Sequence, residues 1–217
     1  MQPRTVAALA AAVVLCAAWL RGYVDPAPPG SGVGAPAAAA TADAESGAAG
    51  RPAQVYAAHT PLPPARPLRI DIASAGIHAK LVERGLTADG AVDPPPFSTP
   101  NVAGWYGRGP APGDAGAALI VGHVDTRTKA AVFYALSTVT QGDLVEVTRS
   151  DGSIAEFAVE GVELVDKTGF RPDRVYGSGV RPELRLITCG GTFDHATQSY
   201  SANVVVYAAL TGSHTKA

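Results

Sequence analysis

From about Pro67 onward this sequence predicts a mostly β domain, a barrel or a sandwich, on three observations. Short stretches alternate apolar and polar residues or run briefly apolar, Gly and Pro fall between them, and one stretch alone has helical texture. Leu68-Arg69-Ile70-Asp71-Ile72 alternates as a half-buried strand does. Residues 116–122, GAALIVG, form an apolar run bounded by glycines and read as a central strand. Ala130 to Leu136 is the helical stretch, and it is short. Leu144 to Thr148 alternates, Ser150-Asp151-Gly152 supplies a turn, and Ile154 to Val165 alternates again, which is a hairpin pattern. Leu184 to Thr188 and Asn203 to Tyr207 complete the set. About 145 residues are ample for one core.

The 217-residue chain carries 24 Gly and 18 Pro, and much of that skew falls before residue 67. Residues 6–20 hold no charge, with Arg4 before them and Arg21 after. A spanning helix needs about 20 apolar residues. Counted on through Gly22-Tyr23-Val24, with Arg21 snorkelling to the interface, the segment reaches the length of an uncleaved anchor. Its core also has the length of a signal peptide, but no small-x-small cleavage site follows promptly, so the anchor is the preferred reading. The expected organisation is an anchor or signal segment at 1–24, a disordered Pro/Ala/Gly-rich linker at 25–66, the folded domain at 67–212 and a tail at 213–217. With Arg4 leading and a long, weakly charged segment trailing, the domain is expected outside the membrane. Net charge is -2 and no basic run occurs, which argues against nucleic acid as a partner.

Of the two cysteines, Cys16 lies within the apolar segment and Cys189 outside it. An odd thiol in an exported domain suggests a reactive group, although a small buried cysteine that does nothing has the same sequence signature. Cys189 ends an apolar run and is followed by Gly190 and Gly191, a strand end where the chain turns and a ligand can approach. A nucleophilic thiol needs a base or cation beside it. His123, in Val121-Gly122-His123-Val124-Asp125, also ends an apolar strand, and two strand ends can meet at one rim. Asp125 is placed to orient the imidazole. His59 and His214 read as solvent-exposed bystanders. For the oxyanion, the N–H groups around Gly190 and Gly191 are candidates, as are Ser201 and Asn203 on the next strand. Arg185 shares the face of Cys189 but stands about 13 Å along the strand. One cysteine and scattered histidines give no metal-ligand spacing, and no Gly-rich loop sits between a strand and a helix, so neither metal nor nucleotide cofactor is expected.

Gly122-His123-Val124-Asp125, Leu186-Ile187-Thr188-Cys189-Gly190-Gly191 and Asn203-Val204-Val205-Val206-Tyr207-Ala208 together resemble the sortases, in particular the actinobacterial class E/F branch and class F more closely. The likeness runs from about Pro67 to Leu210. It implies an eight-stranded β-barrel with short helices and a Cys-His-Arg site. It also implies a transpeptidase that cuts an LPxTG-type sorting signal between Thr and Gly through a thioester on Cys189, with His123 as acid/base. The partners implied are the sorting-signal peptide of an exported protein, an amine of a peptidoglycan precursor or protein, and the membrane. The sequence departs from the family at one point: sortases carry their arginine on the strand after the cysteine, and no arginine follows Cys189 here. Arg185, carried forward as the third catalytic residue, Arg171 or Arg174 must reach the site from elsewhere, or Asn203 must do a weaker version of the work. A thiol hydrolase and a catalytically silent surface-binding module are the competing readings.

Overall fold

The computed structural model describes residues 56–57, 59–88, 90–169, 175–177 and 179–215. The expected anchor and Cys16 lie outside these residues, as does the expected linker up to residue 55. Eight strands form: β1 (Pro67–Ile72), β2 (Ile77–Arg84), β3 (Val102–Tyr106), β4 (Ala117–Val121), β5 (Leu144–Arg149), β6 (Ser153–Asp166), β7 (Glu183–Asp194) and β8 (Ser199–Thr215). They close into a barrel in the order β1-β2-β3-β4-β7-β8-β6-β5. The pairs β2–β3 and β4–β7 are parallel and the rest antiparallel. The helical pieces among the described residues are short: 3-10 turns such as Leu136–Thr138 and the α-helical residues Val175 and Tyr176. No helix among them is long and apolar enough to cross a membrane.

Alternation along each strand sends every second side chain into the barrel. Ile70, Ile72, Ile120, Phe157, Leu186 and Leu210 fill the interior. At about 1.5–3 kcal/mol for each such side chain buried, they supply the main drive for closure. The other face of β4, β7 and β8 carries a second apolar cluster, including Leu119, Val121, Ile187 and Val205, with Cys189 among them and Val175 packed against it.

Three expectations need correction. Ala130 to Leu136 is a series of turns rather than a helix, because its amides serve other carbonyls. Val132 N donates to Pro100 O at 2.7 Å and Phe133 N to His123 O at 3.0 Å. The expected tail is partly strand, since β8 runs to Thr215, which pairs with Ser153. The end of the expected linker lies along the barrel: Leu62 N donates to Gly113 O at 2.8 Å, Leu62 packs on the interior cluster, and Pro63 O accepts from the buried Arg149.

Candidate active site

Parallel pairing of β4 with β7 sets the geometry. Val121 stands opposite Ile187, and Gly122 N extends the ladder by donating to Ile187 O at 3.1 Å. His123, two residues past Val121, is thereby carried level with Cys189, two residues past Ile187. Neighbouring strands lie about 4.8 Å apart. Both residues are buried at the rim, each with 7% of its surface exposed.

Glycine permits this strand end. A Cβ on Gly122 would lie 2.6 Å from Phe133 Cδ2 and 2.7 Å from Val132 Cγ1, so only hydrogen lets that segment pack beneath the histidine. Phe133, fully buried, then ties the His123 carbonyl in place. After Cys189 the β7–β8 register shifts between Gly190 and Phe193, and Gly191 takes a φ of +79°. The bulge re-aims the chain directly beyond the thiol.

The imidazole is held on two sides. Its Nε2 lies 2.7 Å from Pro95 O. A carbonyl only accepts, so Nε2 carries the hydrogen and the neutral ring keeps its lone pair on Nδ1. Phe97 stacks on the ring with centroids 4.1 Å apart and planes 19° from parallel. Burial pushes His123 below its ordinary pKa, against opposing contributions from Pro95 O and the Asp125 charge. Asp125 in turn accepts from the Tyr200 hydroxyl of β8. Burial first, and the bond to Asp125 second, push Tyr200 up to about 12. Pro95, Phe97 and Tyr200 have no motif-level signal in the sequence; tertiary contacts alone place them here.

The remaining candidates divide. Asn203 is the cross-strand partner of Cys189 and, being directly opposite, shares its face. It is wholly buried, and among the described residues neither atom of its side-chain amide has a hydrogen-bond partner. Ser201 is exposed and its Oγ accepts from Thr192 N at 3.0 Å, pinning the bulge. Arg185 is not brought to the thiol. Its guanidinium turns towards the start of β7, where Nη2 pairs with Glu183 at 2.5 Å and Nε donates to Val175 O at 2.9 Å. It also lies over the Tyr207 ring, 4.8 Å from the centroid. Arg171 and Arg174 lie outside the described residues. A group able to hold a metal ion, Glu146, Glu156 and His214, lies on the barrel wall with all donor atoms within 4.8 Å. It is remote from Cys189, roughly 30 Å along β8, and His214 Nδ1 already pairs with Glu156. His214 is exposed and away from the thiol, as expected.

The sequence profile of the Sortase domain matches residues 70–211. The chain belongs to the sortase family. Solved sortases of several classes share the fold at low sequence identity. Sortase A of Listeria monocytogenes is 17% identical with a TM-score of 0.53, over 70% of this chain and 91% of that one. Sortase C-1 of Actinomyces oris is 18% identical with a TM-score of 0.52, over 66% and 73%. Sortase A of Corynebacterium diphtheriae is 18% identical with a TM-score of 0.50, over 69% and 61%. A search among curated protein sequences finds no match. The eight-stranded barrel read from the resemblance is the fold observed, and a sortase-type transpeptidase is the activity that membership supports.

Proposed function

We propose that this sortase, of the class F branch, is a cysteine transpeptidase acting on an LPxTG-type sorting signal through Cys189 and His123. The supporting observation is the β4–β7 register, which sets an imidazole level with a thiol at one rim. The Cys189 thiol, losing its proton to His123, attacks the Thr carbonyl carbon. A carbon–sulfur bond forms, the Thr–Gly amide breaks, and the imidazolium returns the proton to the departing amine. An incoming amine then attacks the thioester, gives its proton to His123 and releases the thiolate. With Nε2–H committed to Pro95 O, Nδ1 is the nitrogen that shuttles the proton. The acceptor is an amine of a peptidoglycan precursor or a protein, and the segment at 1–24 holds the enzyme on the outer face of the membrane.

The test incubates the full chain in detergent with a pool of LPxTG-type peptides and a glycine-peptide amine. Ligated product is expected, and Cys189→Ala should abolish it. Equal product from that variant would refute the reading. If raising the amine leaves the yield of hydrolysed peptide unchanged, the enzyme is a hydrolase instead.

A further inference from the structure

Asn203 is the one buried polar side chain that faces the Cys189 side of the sheet and, among the described residues, leaves both its amide donor and its amide acceptor without partners. Burying an amide in this state costs about 1–3 kcal/mol. On the same face, its neighbours Ile187 and Val205 are apolar. Its backbone position, by contrast, is fixed on both sides, by Cys189 on β7 and by Val165 on β6. Directly opposite residues of an antiparallel pair have Cα atoms about 4.5–5.5 Å apart. A carbonyl carbon bonded to the Cys189 sulfur therefore comes within reach of that amide. Arg185 does not supply the cation expected for this work, being spent on Glu183 and Val175 O, and no arginine follows Cys189 in the chain.

We propose that the Asn203 side-chain amide is the donor that meets the substrate's carbonyl oxygen at Cys189, taking the oxyanion-stabilising place of the missing arginine. The Nδ2–H group bonds the oxygen as negative charge develops on it, and Oδ1 is free to accept a backbone N–H of the same peptide. The unmet hydrogen bonds of the resting enzyme are those completed in the acylation transition state. This inference rests on the transpeptidase reading above.

The test compares Asn203→Ala, and Asn203→Leu which keeps the branched shape, with the unaltered full chain in detergent. Acylation by an LPxTG-type peptide pool, alkylation of Cys189 by iodoacetamide and the thermal midpoint are measured together. Loss of one oxyanion donor predicts a fall of about 100-fold in kcat for acylation with KM nearly unchanged. Alkylation, which makes no oxyanion, should keep its rate. The midpoint should hold or rise, since an unpartnered buried amide has been removed. Full kcat in either variant overturns the proposal, as does a loss of kcat matched by equal loss of alkylation or by a lower midpoint. If the unaltered chain makes no Cys189-dependent product, the transpeptidase reading falls and takes this one with it. If it does, and the variants equal it, only the role of Asn203 is lost.

Discussion

Arg185 and Asn203 stand on the same outer face of neighbouring strands, both buried, and their surroundings are opposite. Around Arg185 the polar groups are matched. Glu183 bonds both Arg185 and Arg181, and Arg181 also grips Glu160 on β6 at 2.6 Å. Burial alone would raise Glu183, but the two arginines outweigh it and leave its carboxyl below the ordinary range. The Asn203 amide itself is unmatched among the described residues. One end of the β7–β8 face thus fixes the loop and strand entry, while the other holds unspent hydrogen-bonding capacity beside a thiol. Local rules of polar satisfaction are broken at the proposed site and kept away from it.

The strongest way to break this comparison is Arg185→Ala. It takes one of two arginines from Glu183 and the donor from Val175 O, and should cost about 3 kcal/mol of stability, read by urea denaturation. The rate per folded molecule should change little, and a large loss of kcat with stability intact would return Arg185 to the site. Gly122→Ala sharpens the contrast from the other end. The added methyl meets Phe133 and Val132 below 3 Å, so overpacking of about 1–3 kcal/mol is expected, with activity falling further because His123 moves. Equal effects on both would argue that the strand end has no special placement. The smallest effect concerns protonation. His123 should titrate below 6.5 by NMR, and Asp125→Asn should lower it further, since the Asp125 charge raises it. The unfolded chain takes up this proton near 6.5 and the native chain only at lower pH. The contribution of His123 to stability is therefore full above about 6.5 and is lost as pH falls towards its depressed native value. A midpoint at or above 6.5 contradicts the burial described for the ring.

Much of this was legible in the chain. β1 and the β5–β6 hairpin follow from alternation, because one face is in the core, and β4, β7 and β8 from their apolar runs, because both faces are covered. β2 alternates too, Ile77, Ala79 and Leu81 in and His78 and Lys80 out, yet its small and charged residues disguise it as a polar segment. β3 is hidden by Gly104 in mid-strand, a residue that reads as loop. The stretch at Ala130 has helical periodicity, but neighbouring carbonyls capture its amides. At the candidate site, the strand-end logic anticipates that Cys189 and His123 come level at one rim. It misplaces Arg185 because a shared face says nothing about where a long side chain turns, and Glu183, two residues earlier, is the better partner. The orphaned state of Asn203 depends on what does not reach it, which no linear pattern encodes.

The parallel β4–β7 seam has a consequence for biogenesis. Between these two strands the chain must first lay down the whole β5–β6 hairpin, so the base and the sulfur meet only through a pairing distant in sequence, which forms slowly. A nascent or half-folded copy carries a thiol with no base at its side. On the proposed mechanism reactivity switches on with ring completion, and a molecule that has not finished folding is also one that cannot attack the wrong peptide.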